Sequence, residues 1–200
     1  MSYANTGMLY PVFAPLNSHQ DGQMPVYGTG HVIHEARVAT VTKEYTDNPL
    51  YGDNRIVDDD NGLTGMTIAF ESTGIDDSDR RLLFGEEVYG TTGTTGQWES
   101  DNETPYGGFA YIRRMKGDQA GRKYEAWLTL KIKFQETSQE TTTQEGQQIT
   151  WGTPKLSGRA AALDVDGGSK LRFRLHQTFD NIAAAKAWIN TLLNVSAATT

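Results

Sequence analysis

From residue 123 to residue 134 the chain alternates strictly between two kinds of side chain. Tyr124, Ala126, Leu128, Leu130, Ile132 and Phe134 share one parity; Glu125, Trp127, Thr129, Lys131 and Lys133 share the other. Successive side chains of a strand point to opposite faces, so a period of two predicts a β-strand with one packed face and one wet face. Residues 109–115 precede it across the Gly-containing turn 116–121, and the two stretches predict an antiparallel hairpin. A third apolar stretch follows at 149–163. The sheet that these three begin is expected to be the frame that the rest of the chain covers and extends.

Ahead of the hairpin the pattern is more broken. Residues 1–30 hold three of the six prolines. A proline within 9–14 restricts that stretch to a short edge strand, and the remainder predicts an extended N-terminal arm. Residues 31–46 predict a strand through Val32, Ile33, Ala36, Val38, Ala39 and Val41, its smeared phase marking a bulge or burial on both faces. Residues 47–62 carry turn-forming side chains at nearly every second position and predict a long loop. Leu50, Tyr51, Ile56 and Val57 would be wasted on a free loop, so this segment is expected to finish folding against another surface. Residues 63–73 predict a strand with Met66, Ile68 and Phe70 inward.

Residues 76–84 predict a short helix, opened by Asp76, Asp77 and Asp79 and closed by Gly85. A loop is expected at 90–102, and a long polar connection without Lys or Arg at 135–148. At 171–175 a strand with Leu171, Phe173 and Leu175 inward is predicted. Residues 180–194 predict an amphipathic helix with Asp180 as N-cap and Ile182, Ala185, Ile189 and Leu192 or Leu193 on its apolar stripe. Residues 195–200 are expected to fray. The fold class is therefore α+β, mainly β: an antiparallel β-sandwich or half-barrel with the two helices at about 76–84 and 180–194. Its expected core comprises Met66, Ile68, Phe70, Leu128, Leu130, Ile132, Phe134, Phe173, Ile182 and Ile189.

A chain of 200 residues buries a sound core as one β-rich domain, and no linker divides it. There are no cysteines, so disulfides are excluded. No apolar run approaches the roughly 18 residues of a membrane span, and residues 1–30 lack the basic region and apolar core of a signal peptide. Eighteen Lys plus Arg against 25 Asp plus Glu disfavour non-specific attachment to nucleic acid or anionic lipid. The charge is polarised: residues 44–103 hold 15 acidic and 3 basic side chains, a net of -12, against +5 for the remainder. Such a division is usually a solvated surface, but it also suits one half of a self-complementary contact.

Candidate chemistry is sparse. His31 and His34 stand three apart, on opposite faces of a strand, and cannot clamp one metal ion. Asp58, Asp59 and Asp60, and Asp164 and Asp166, precede glycines that fall where calcium ligands should stand, so both runs predict tight turns. Residues 90–96 share only composition with a phosphate cradle. With no cysteine, no Gly-x-Ser-x-Gly and no ordered nucleophile–base pair, no enzyme, metal or cofactor is expected. Trp127 is expected to be packed under a neighbour rather than offered to sugar or nucleic acid. A β domain with an arm, two long unpacked connections and lopsided charge suits a subunit completed by copies of itself.

The ordered series of motifs carries a resemblance. The stretch from Leu9 to Pro15, the Asp-rich loop, the strand Leu63-Thr-Gly-Met-Thr-Ile-Ala-Phe70, the short acidic helix and Pro105-Tyr-Gly-Gly-Phe-Ala-Tyr111 follow one another in order. Arg122-Lys-Tyr-Glu-Ala-Trp-Leu128, Lys131-Ile-Lys-Phe134 and Thr153-Pro-Lys-Leu-Ser-Gly158 complete it. The series resembles the major tail proteins of long non-contractile-tailed phages (siphophages). That resemblance implies a virion protein of the viral tail tube, made in the host cytoplasm, with the half-barrel of the tail-tube type. It implies homohexameric rings whose inner strands close a continuous β-barrel and which stack helically into a tube that conducts DNA without specific binding. The implied partners are other copies of the chain, a tape-measure protein, a tail terminator and a distal tail protein.

The 47–62 loop then corresponds to an inter-ring contact, with Leu50, Tyr51, Asp53, Arg55, Ile56, Asp58, Asp59 and Asp60 as its candidates. The N-terminal arm corresponds to a second contact, through Leu9, Tyr10, Val12 and Phe13. An acidic lumen would repel DNA phosphates and let a duplex slide. The competing class is a carbohydrate-binding β-sandwich on a virion or cell surface, presenting Trp98, Trp127 or Trp151.

Overall fold

A computed structural model describes residues 3–33, 36–46, 49–52, 55–59, 62–91, 94–99, 103–117, 121–138, 153–168 and 170–196. His34, Asp53, Asp60, Trp151, most of the expected polar connection (139–148) and residues 197–200 lie outside these. In chain order the strands are β1 (Tyr3–Ser18), β2 (Val26–Tyr27), β3 (His31–Val32), β4 (Ala36–Tyr45), β5 (Pro49–Gly52), β6 (Arg55–Asp59) and β7 (Leu63–Ser72). Helix α1 (Asp77–Phe84) follows, then β8 (Glu87–Thr91), β9 (Thr94–Trp98), β10 (Gly107–Gly117), β11 (Arg122–Ser138), β12 (Lys155–Ala160), β13 (Arg174–Phe179) and helix α2 (Ile182–Leu192).

Among the described residues nine strands form one sheet in the order β2-β1-β10-β11-β12-β7-β4, with β13 added beside β11 and β3 beside β1. Every pairing within it is antiparallel. Strands β5–β6 and β8–β9 are separate two-stranded ribbons. The fold is thus mainly β and antiparallel, as expected, with the sheet curled but not closed into a barrel. Phe70 of β7 meets Phe109 of β10 edge-on at 5.3 Å, although two strands stand between theirs in the sheet order. Phe134 lies 5.0 Å from Phe109 and 6.1 Å from Phe13. These contacts require the sheet to fold back over its own face, and β4 returns to touch β1 without a ladder joining them.

Two large cores result, one on each face of the central strands, with a smaller cluster of Met66, Ala160 and Phe173 beside them. Phe13, Ile68, Phe70, Phe109, Ile132, Phe134 and Leu156 fill the inside of the half-barrel, with Leu83 of α1 among them. Val12, Ala110, Ile112, Ala126, Leu128 and Leu130 lie on the other face, covered by Ala185, Ile189 and Leu193 of α2 and its end. Each fully buried aromatic or aliphatic side chain contributes roughly 1.5–3 kcal/mol.

The expected single packed face of residues 124–134 is corrected here. Between the pairs Phe109↔Thr129 and Gly107↔Ile132, β11 carries one extra residue. This bulge inverts the parity, so Ala126 and Leu128 face α2 while Ile132 and Phe134 point into the half-barrel. Three of its backbone groups find partners away from β10: Leu130 N donates to Phe173 O at 3.0 Å, Leu130 O accepts from the Tyr27 hydroxyl at 2.6 Å, and Lys131 O accepts from Ala161 N at 2.9 Å. The bulge sits where β11 exchanges β13 for β12 as its neighbour. Thr129, expected to be wet, is fully buried beside it.

The N-terminal arm is likewise corrected. Residues 3–18 form β1, paired with β10 along its length and with β2 and β3 on the far side. Val12 and Phe13 are fully buried, so they serve the chain's own core, while Leu9 and Tyr10 pack partly against it. Pro11 is tolerated because it lies in a bulge between Leu9 and Val12, beside Tyr10 at φ 52°, where its carbonyl still accepts from Ile33 N at 2.9 Å.

The expected 31–46 strand divides into β3 and β4. The expected loop at 47–62 contains the ribbon β5–β6, and the expected loop at 90–102 holds β9 and the end of β8. The polar connection begins later than expected, because β11 runs on to Ser138. Leu171 and Leu175 are exposed and only Phe173 of that trio is buried. Helix α1 has the expected caps: the Asp76 carboxylate accepts from Asp79 N at 2.7 Å, and Gly85 adopts φ 73°. Helix α2 is capped by Asn181, whose carboxamide oxygen accepts from Ala184 N at 2.8 Å; Asp180 instead pairs with Lys123. Its stripe is Ala185, Ile189 and Leu193, with Ile182 and Leu192 partly buried at the rim. Val195, expected to fray, is bridged to Gly30.

Candidate functional site

Open edges are the sheet's main chemical feature. Strand β4 is ten residues long and pairs only with β7. Among the described residues no second strand forms a ladder with it, although β1 comes near and Ala39 and Val41 turn inward against the half-barrel core. Along it Arg37, Val38, Thr40, Thr42, Lys43, Glu44 and Tyr45 are exposed. Among the described residues the Tyr3–Leu9 part of β1 pairs only with β10, and β13 only with β11. Unpaired N–H and C=O groups along such edges are a template for another strand, and globular proteins normally shorten, charge or cover them.

Two ribbons lie outside this sheet. Leu50 and Tyr51 lie on β5 and Arg55, Ile56, Asp58 and Asp59 on β6, with Leu50 opposite Asp58 and Tyr51 opposite Ile56. Six of the eight candidates for an inter-ring contact are thus brought together on one hairpin, Asp53 and Asp60 lying outside the described residues. On β8–β9, Tyr89 and Trp98 meet edge-on at 5.1 Å and are 54% and 56% exposed. Gln97 Nε2 donates to Asp77 O at 2.7 Å and ties this ribbon to α1. Arg80 anchors α1 in turn, reaching Glu136 at 3.1 Å and Glu86 at 3.4 Å. Burial opposes its charge, but hydrogen bonding to Glu136 and the charges of Glu136 and Glu86 outweigh this and hold Arg80 above the ordinary arginine range.

Trp127 is packed under neighbours, as expected. His176 stacks on it at 4.3 Å and 17°, and the Arg174 and Arg113 guanidiniums lie 4.2 and 5.5 Å from its ring. Arg174 donates to the Tyr111 hydroxyl at 2.9 Å, and burial pulls Arg174 below the ordinary arginine range. Arg113 pairs with Glu125 at 2.9 Å. The run Asp164–Gly168 is the tight turn its composition predicts: Asp164 Oδ1 accepts from Asp166 N and Gly167 N, and Gly167 adopts φ 67°. Among the described residues no group of three or more His, Asp or Glu is placed to hold a metal ion, and no helix is long and apolar enough to cross a membrane.

A groove of about 540 Å³ runs over the outer surface of β11, β12 and β7, lined by Thr67, Tyr106, Lys133, Gln135, Ser157 and Arg159. Sequence reasoning passed over it because its two cations lie 26 residues apart and meet only through strand register, Lys133 opposite Arg159. The β4 edge was missed for a related reason: a period-two pattern identifies a strand without telling whether one or both sides are paired. No protein-family model matches the chain, and a search of curated proteins finds no match.

Proposed function

We propose that the chain is a structural subunit that assembles with copies of itself into hexameric rings, stacked into a siphophage tail tube through which DNA passes. The observation that carries this reading is the unpaired β4 edge on a sheet that curls without closing. Adding strands from neighbouring copies satisfies those edges, and closure around a ring removes them altogether. Head-to-tail stacking of rings is a heterologous contact that propagates without limit, and the β5–β6 hairpin is the element that reaches the next ring. In this reading a tape-measure protein, a tail terminator and a distal tail protein meet the tube, and the virion tail is its location. The test is light scattering over a concentration and salt series. Discrete ring-sized or larger species that grow with concentration are expected; an ideal monomer under all conditions would rule the subunit reading out.

A second reading, a carbohydrate-binding module without catalytic activity, draws on the exposed Tyr89–Trp98 pair. Glycan arrays separate the two: the subunit reading expects no saccharide binding, and the module requires it.

A further inference from the structure

The groove over β11, β12 and β7 brings like charges together at a cost. Lys133 and Arg159 stand directly opposite each other in register, an arrangement that is unfavourable between neighbouring strands. The ammonium of Lys131 joins them, since it and that of Lys133 lie 4.4 and 4.3 Å from the centre of one ring, Tyr106. Among the described residues no carboxylate lines the groove; its other polar groups are the hydroxyls of Thr67, Tyr106 and Ser157 and the amide of Gln135. The acids near it are weak counterweights. Glu103 reaches Lys133 at 3.1 Å and is 89% exposed, and Glu44 is 4.0 Å from Arg159 with both side chains open to water. Exposed pairs of this kind contribute little and exchange readily with another anion.

The geometry points to an oxyanion-accepting groove whose occupant is the acidic 44–103 segment of a second copy, its carboxylates set between Lys133 and Arg159. The complementarity lies within the chain itself, where that segment carries a net -12 and the remainder +5. This rests on the self-assembly reading and gives it a receptor. Interfacial charge pairs set partner orientation and weaken with salt.

The test compares wild type, Lys133→Glu/Arg159→Glu and the charge-conserving Lys133→Arg/Arg159→Lys by light scattering and electron microscopy. Melting temperatures serve as the folding control, and wild type is also run with inorganic phosphate against chloride at matched ionic strength. The charge-reversed protein is expected to need at least about tenfold more protein to assemble, the conserving variant to behave as wild type, and phosphate to inhibit more than chloride. Should the reversed protein melt and assemble as wild type does, or phosphate act no differently from chloride, the groove is not the receptor and self-assembly stands without it. A wild type that never assembles overturns both, and phosphate binding with unaltered assembly assigns the groove to free oxyanions instead.

Discussion

Tyr27 and Gly158 show how tightly single positions are set. The Tyr27 hydroxyl reaches the bulge carbonyl of Leu130 from a buried position, and burial raises its phenol above the ordinary value of 10.0. A group whose folded pKa is raised lends stability that is complete below its unfolded pKa and is lost as pH rises through the folded one. Tyr27→Phe should therefore cost about 1–3 kcal/mol near neutral pH. It should also flatten the loss of stability above about pH 10 relative to wild type, as read by urea unfolding across pH. At Gly158 an added Cβ would sit 2.6 Å from Ile132 Cδ1 and 2.8 Å from Phe134 Cδ1. Gly158→Ala should destabilise by roughly 1–3 kcal/mol through overpacking, with a lowered midpoint in the same assay. Neither role was legible beforehand. Alternation marked Leu130 as apolar, but the extra residue that inverts the strand at that point exists only relative to β10. Pro11 misled for the same reason, because a bulge supplies what its missing N–H would otherwise forbid.

Elements with an amphipathic pattern were legible to within a residue or two, as β7, α1 and α2 show. Their apolar spacing and caps are local properties, whereas the ribbons β5–β6 and β8–β9 mix a few apolar residues with Gly, Thr and Asp that spell turns. Pairing across the ribbon, a relation between two strands, makes those residues strands. The stripe on α2 is tested by Ile189→Ala, which should cost about 2–5 kcal/mol in chemical denaturation because the side chain is fully buried. Ile182→Ala at the rim should cost clearly less. The β5–β6 hairpin closes at its base, where Thr46 N donates to Gly62 O at 2.8 Å. Replacing residues 47–61 by a short turn should thus leave the melting temperature nearly unchanged and abolish assembly by light scattering; tubes formed as before would remove the hairpin from the contact.

At the scale of the whole molecule, the half-barrel is stable within itself through its two cores yet leaves strand edges unsatisfied. Fold class was legible because it depends on the count and period of strands. Open edges and the cationic groove were not, because both are relations between strands far apart in the chain. The polarised charge was visible as a total from the start, and the register of β11 and β12 gives it a place to act. The most direct test of an incomplete sheet that copies of the chain complete is electron microscopy of the concentrated wild-type protein at low salt. Rings with a central opening, stacking into tubes, are the predicted result; a field of single compact particles at every concentration would contradict the account.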